Sequence, residues 1–270
     1  MERILGLICG AGVLPALMAE QARRQGWRVV AFAFPGAEGL DAHADVMIPS
    51  RVGELAPVLA ALQAEKVESV AFSGKFWMSD LLRAQATDGA HARMVTEAGA
   101  LVDANLTAVV VATLGSLGIT LLDQRAFLGE ELTAAGCWSR RTPTDGEWED
   151  IRRGFAVARA LADASVGQTV VVRGGAVSAV EAMEGTSEAI RRGTALSGPG
   201  AVVVKSVARA HDFRFDMPTV GTDTLEQAAA GGARVVAVEA GNVFVLDRAA
   251  VVRRADAAGI ALVSTNGGSR

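Results

Sequence analysis

The stretch LGLICGAGVLP, residues 5–15, decides the fold. An apolar run ends at Cys9, glycines stand at 10 and 12, and helical spacing follows from about Val13 to Gln25. An apolar run without alternation marks a strand covered on both faces, and the glycine turn hands it to a helix. The plan then repeats. Arg28–Phe34 is closed by Pro35-Gly36, Asp45–Ile48 is short, and Val70–Ser73 ends at Gly74, with a helix over Leu55–Glu65 before it. Apolar strands separated by helices predict a Rossmann-like, doubly wound parallel sheet whose ligands bind beyond the carboxyl ends of its strands.

Outward from there, helical periodicity runs from about Met94 to Gly118, and Ile119–Leu122 reads as a last strand. Ala134–Gly146 is rich in Gly, Pro, Thr and Ser and has no period. It reads as a linker, which gives an N-terminal domain over 1–133, a linker over 134–146 and a C-terminal α/β domain over 147–270. Glu147–Asp163 forms a long amphipathic helix with Trp148, Ile151, Phe155 and Ala158 on one stripe. Gln168–Val172 and Ala176–Val180 flank Arg173-Gly174-Gly175 as a β-hairpin. A helix over Ser187–Arg192 and a strand over Ala201–Lys205 follow. Thr222–Ala230, Val235–Glu239, Val243–Leu246, Ala249–Ala257 and Ile260–Val263 then read helix, strand, strand, helix, strand, a mixed α/β arrangement distinct from the first.

The 270-residue chain is half apolar, 21% charged and carries a net charge of −4, so it has a globular balance and no basic footprint for nucleic acid. Cys9 and Cys137 match no ligand spacing, and sparse cysteine points to a reducing, cytoplasmic setting. No apolar run reaches the roughly 18 residues that a membrane span needs.

Four segments offer chemistry. At Gly10 and Gly12 a strand–helix turn lets backbone approach a phosphate. As a dinucleotide fingerprint it is incomplete, since Pro15 takes the third glycine position and the second strand ends Ala33-Phe34-Pro35 without a ribose-binding acid. Ser73-Gly74-Lys75 sets a lysine at a strand end, where it meets either a phosphate or solvent. In EAMEGT, residues 181–186, Glu181 and Glu184 share a face only if the segment turns helically. Last, HDFRFDMP, residues 211–218, alternates Asp212, Arg214 and Asp216 with Phe213 and Phe215. As an extended segment, it presents one charged and one aromatic face. That charged face is either a solvated strand surface or a site where acids hold a metal and cations neutralise phosphate.

Taken in order, LGLICGAGVLP, VVVRGGAVSAVEAMEGT, KSVARAHDFRFDMPTVG and VAVEAGNVFVLDR resemble the signatures of one family along nearly the whole chain. It is the LpxI-type UDP-2,3-diacylglucosamine pyrophosphatase of lipid A biosynthesis. The resemblance implies metal-dependent hydrolysis, with Mg²⁺ or Mn²⁺, of the diphosphate in this nucleotide-linked glycolipid by a C-terminal catalytic domain. It also implies a homodimer in peripheral contact with the cytoplasmic face of the inner membrane.

Carried over by position, Asp216, Arg214 and Lys205 are the expected catalytic residues. Asp216, Asp212, Glu181 and Glu184 are the expected metal ligands. Gly10, Gly12, Lys75, Gly185, Thr186, Thr219 and Gly221 are the expected substrate contacts. The chain departs from the family at Ala208, Arg209, Ala210 and His211, where Lys-Pro-x-Gln is common, and at Ser187, where an Asp follows Gly-Thr. A Gly-Asp-Asp segment is reduced to Val102-Asp103-Ala104. These departures keep a second reading open, a diverged paralogue that binds a nucleotide-linked or lipid ligand without hydrolysing it.

Overall fold

A computed structural model of the chain describes residues 2–77, 80, 89–98, 103–128 and 132–267. It divides into two compact units, one of residues 1–129 with 212–217, the other of residues 130–211 with 218–270.

The first unit is built on five strands: β1 (Arg3–Cys9), β2 (Trp27–Ala33), β3 (Val46–Pro49), β4 (Ser69–Ser73) and β5 (Thr120–Leu121). All pair in parallel, in the order β3-β2-β1-β4-β5, which is the Rossmann half-sheet. Its helices are α1 (Leu14–Arg24), α2 (Leu55–Ala64), α3 (Gly89–Ala98), α4 (Asp103–Ser116) and α5 (Arg125–Leu128). The continuous apolar runs are explained by burial: Leu5, Leu7, Val29, Val30 and Phe32 are fully shielded. Gly6 faces α2, where a Cβ would come within 2.9 Å of Leu62 and Val67, so this residue sets how closely helix and sheet approach. Two helices, α3 and α4, occupy what the periodicity reads as one helical stretch from Met94 to Gly118. Val102 of the reduced Gly-Asp-Asp segment lies outside the described residues.

The second unit holds β6 (Gly136–Cys137), α6 (Asp145–Asp163), β7 (Thr169–Arg173), β8 (Ala176–Val180), α7 (Thr186–Ser197), β9 (Val202–Lys205), β10 (Thr219–Val220), α8 (Thr222–Ala230), β11 (Val235–Glu239), β12 (Phe244–Val245), α9 (Arg248–Ala258) and β13 (Ala261–Thr265). Six strands form a mixed sheet in the order β6-β13-β11-β9-β7-β8, while β10 and β12 pair separately. Residues 134–146 contribute edge strand β6, antiparallel to β13, and the start of α6. Thr144 caps that helix in a reciprocal box with Glu147.

Period-two alternation sorts β9 between two cores. Val202 and Val204 meet Ile151 and Phe155 of α6, whereas Val203 packs with Ile190, Leu225 and Val251 of the opposite helices. Lys205 shares the register of Val203 and so points towards the α7 side. The β7–β8 turn uses Gly174 and Gly175, both at positive φ, as a two-residue hairpin with the sheet's own twist requires. Buried Asp150 of α6 accepts from both of their N–H groups, at 2.8 and 2.6 Å.

Candidate functional site

Strands β8 and β9 both run antiparallel to β7, and β9 runs parallel to β11, so the carboxyl ends of β8, β9 and β11 lie on one edge of the mixed sheet. Glu181, Lys205 and Glu239 stand at those three ends. Lys205 is buried, and its Nζ donates to Thr186 Oγ1 at 3.0 Å. That hydroxyl in turn donates to Glu181 Oε1 at 2.8 Å. Gly185, at φ +82°, turns the chain into α7 and sets Thr186 as the first helical residue. Burial pushes the Glu181 carboxyl up, but the Lys205 ammonium, the Thr169 and Thr186 hydroxyls and the Gln168 main chain together outweigh it and hold it below its ordinary value. The Oε2 atom of Glu181 is shut from solvent and makes no hydrogen bond of good geometry, with the buried Thr169 hydroxyl as its polar neighbour. A carboxylate oxygen kept in this state is a hard donor of the kind Mg²⁺ or Mn²⁺ takes.

Glu184 does not join Glu181. Its carboxylate is held by Arg192 at 2.6 Å, because the intervening Ala182-Met183 segment forms a turn that does not continue as helix. Thr219 lies in β10, paired with Phe244, and Gly221 is the extended residue that precedes α8.

In the first unit the expected extended form of HDFRFDMP gives way to a turn. Phe215 N and Asp216 N both donate to Asp212 O, at 3.1 and 3.4 Å. Asp212 accepts from Arg214 N and grips its guanidinium through both carboxylate oxygens, at 2.9 and 2.7 Å. This local side-chain bonding displaces the strand, a known competition at Asp. The aromatic residues do not share one face either. Phe213 is buried beneath the Arg125 guanidinium, 4.1 Å above its ring, while Phe215 meets Phe72 at 5.2 Å between centroids. Exposed Asp216 follows Asp212 by a single hydrogen-bonded turn. Asp123 pairs with Arg125 at 2.6 Å beside this turn.

At the first turn, Gly10 N, Ala11 N and Gly12 N donate to Ser73 O, Lys75 O and Gly36 O, so their donors are committed to the fold. Gly12 needs its +93° φ, and a Cβ on Gly10 would lie 2.6 Å from Lys75 O. The Lys75 ammonium sits over the Trp77 ring, 3.4 Å from its centroid.

Among the departures, Arg209 is tied to α6: its N donates to Asp163 Oδ1 at 2.8 Å and its guanidinium pairs with the same carboxylate. Sequence reasoning passed over Glu239. Its signal is slight, a single acid closing the apolar run Val235–Val238. Among the described residues no three His, Cys, Asp or Glu side chains gather into a metal-holding group, and no helix is long and apolar enough to cross a membrane.

A Rossmann-like unit joined to a mixed α/β unit, with a buried lysine and a carboxylate at strand ends, defines a two-unit α/β protein. The LpxI N-terminal domain matches residues 4–131 and the LpxI C-terminal domain matches residues 134–263. The chain belongs to the LpxI family. A UDP-2,3-diacylglucosamine pyrophosphatase LpxI from Caulobacter vibrioides is 31% identical over 274 residues, covering 96% of each chain. Among solved structures, the CobK precorrin-6A reductase is similar over 98% of this chain and 88% of its own, at 13% identity and a TM-score of 0.35. A phosphoribosylglycinamide synthetase from Anaerococcus prevotii covers 65% and 38%, at 10% identity and a TM-score of 0.26. Likeness this low carries no argument.

Proposed function

We propose that the chain hydrolyses the diphosphate of UDP-2,3-diacylglucosamine in lipid A biosynthesis. The observation that carries this is the full-length similarity to the Caulobacter enzyme, in which both halves are covered. Water attacks the α-phosphorus, a new P–O bond forms, and the bond to the bridging oxygen breaks. That oxygen leaves with the sugar, which gives UMP and 2,3-diacylglucosamine 1-phosphate (lipid X). A buried ammonium at a strand end, as at Lys205, supports the reading because it can neutralise charge developing on a phosphate. Thr186 orients that ammonium.

Mg²⁺ or Mn²⁺ belongs to the same proposal. Within the second unit the first candidate as a ligand is Glu181, through its shielded Oε2, and within the first unit it is Asp216, through its place in the family motif. Asp212 and Glu184 rank behind them, each paired with an arginine, Arg214 and Arg192. When bound, the ion supplies charge neutralisation and water activation. We also take the enzyme to be a homodimer held peripherally at the inner membrane's cytoplasmic face.

Purified protein with UDP-2,3-diacylglucosamine and either metal should release UMP, with ¹⁸O from labelled water in UMP and none in lipid X. Chelation and Asp216→Ala should abolish release. Label in lipid X would reverse the assignment of the attacked phosphorus. No release, with intact substrate carried through purification, would favour a binding paralogue.

A further inference from the structure

Glu239 is 6% exposed, and its carboxylate has four partner residues. Its Oε2 accepts from Ser206 Oγ at 2.5 Å and from Val207 N at 3.1 Å, and pairs with Arg159 of α6 at 2.8 Å. Its Oε1 accepts from Asn242 Nδ2 at 2.8 Å. Arg159 also donates to Ser206 Oγ at 3.3 Å. Ser206 and Val207, both gripped by Oε2, come directly after Lys205.

The sheet itself stops holding the chain at this point. Lys205 is the last residue of β9 in register, opposite Val238 on one side and Thr169 on the other. Beyond it, Glu239 replaces the β11 ladder: the N–H of Val207 finds a side-chain carboxylate where a strand would offer a carbonyl. Ser206 N still reaches Gln168 O at 3.0 Å. The backbone is therefore fixed on both sides where Lys205 must aim its side chain at Thr186. A buried carboxylate is expensive to keep ionised unless it is paired and hydrogen-bonded, and here every oxygen is engaged.

We propose that Glu239 is a positioning residue for Lys205: with Arg159, it clamps Ser206 and Val207 so that the Lys205 ammonium is held at Thr186. This rests on the hydrolytic reading above for its effect on rate. The geometric part stands apart from that reading.

Two measurements test it. Glu239→Gln keeps the size of the side chain but loses the charge opposite Arg159, and a small misplacement of a charged group lowers turnover on the order of 10²-fold. The expected result is a fall in kcat of that order with KM little changed, and no further fall when Glu239→Gln is added to Lys205→Met. An equal fractional loss in both backgrounds overturns the proposal, because Glu239 would then act on the fold and not through Lys205.

The second readout needs no substrate. The chain has lysine only at 66, 75 and 205. Acylation by an N-hydroxysuccinimide ester, resolved by peptide mass spectrometry, therefore reports Lys205 against Lys66. In the native protein Lys205 should be protected, and Glu239→Gln should raise its modification severalfold while Lys66 stays constant. An unchanged ratio overturns the clamp. If the native enzyme releases no UMP, the hydrolytic reading fails and this ratio alone decides the positioning claim. Should Glu239→Gln not fold, Ser206→Ala, which removes only the hydroxyl contact, carries both comparisons.

Discussion

Gly167→Ala tests how tightly the Glu181 side of the site is built. A Cβ at residue 167 would lie 2.2 Å from Glu181 O and 2.7 Å from Glu181 C. Both are main-chain atoms, so no side-chain rotation relieves the contact. Ordinary carbon–oxygen separation requires a shift of roughly 1 Å. The most direct movement pulls Glu181 away from β7, which loses the 2.8 Å bond from Glu181 N to Thr169 O. Overpacking costs about 1–3 kcal/mol and the lost bond about 1 kcal/mol, together about 2–4 kcal/mol.

At a few degrees per kcal/mol, the melting temperature should fall by about 4–16 °C. Turnover should fall as well, since Glu181 carries the chain into Thr186. Gly146→Ala is the control. This glycine lies in the first turn of α6, and a Cβ added there would meet no atom within 4 Å, so alanine should be neutral or slightly stabilising. Thermal unfolding by circular dichroism, with UMP release on the same samples, measures both. A Gly167→Ala protein as stable and as active as its parent would refute the reasoning from main-chain contact.

Three further outcomes are expected. Asp150→Ala removes the acceptor of two hairpin N–H groups and should cost about 2–4 kcal/mol in urea unfolding, whereas an unchanged midpoint would show that the hairpin holds itself. Burial pushes the Glu239 carboxyl up, but Ser206, Val207, Asn242 and Arg159 outweigh it and hold it below its ordinary value of 4.5. Its stabilisation is thus fully present above that ordinary value and is lost as pH falls through the lower folded one. The stability gap between parent and Glu239→Gln should be widest near neutral pH and close in acid, and a gap independent of pH would contradict this. Finally, burial pushes the Cys9 thiol up and Cys137 is exposed, so an aromatic disulfide reagent should titrate a single thiol in the native protein and two in denaturant.

The parallel sheet was legible because its strands are buried on both faces, which leaves continuous apolar runs such as Leu5–Cys9 that no solvent-facing segment shows. The hairpin was legible from Gly174-Gly175, whose positive φ excludes most other residues. The turn at Asp212–Asp216 was not, because alternating charge and ring imitates strand period. What decides it is the local bond from Arg214 to Asp212 together with the burial of Phe213 and Met217, and that burial is a tertiary fact. Strand β6 is too short to show any period. Of the candidate site, Glu181, Thr186 and Lys205 come together as a hydrogen-bonded chain, but the Glu239 clamp depends on Arg159, Ser206 and Asn242 meeting from separate stretches. No local pattern announces such a meeting.

The small turn of residues 212–217 counts with the first unit although the chain reaches it only after building most of the second. The polypeptide therefore passes from one unit to the other three times. A gene cut near residue 131, where the two family domains meet, would yield an N-terminal fragment whose Phe72 and Arg125 lack Phe215 and Phe213. The halves are thus poor cassettes for shuffling, and a split or circularly permuted gene would keep both intact only by carrying that turn along.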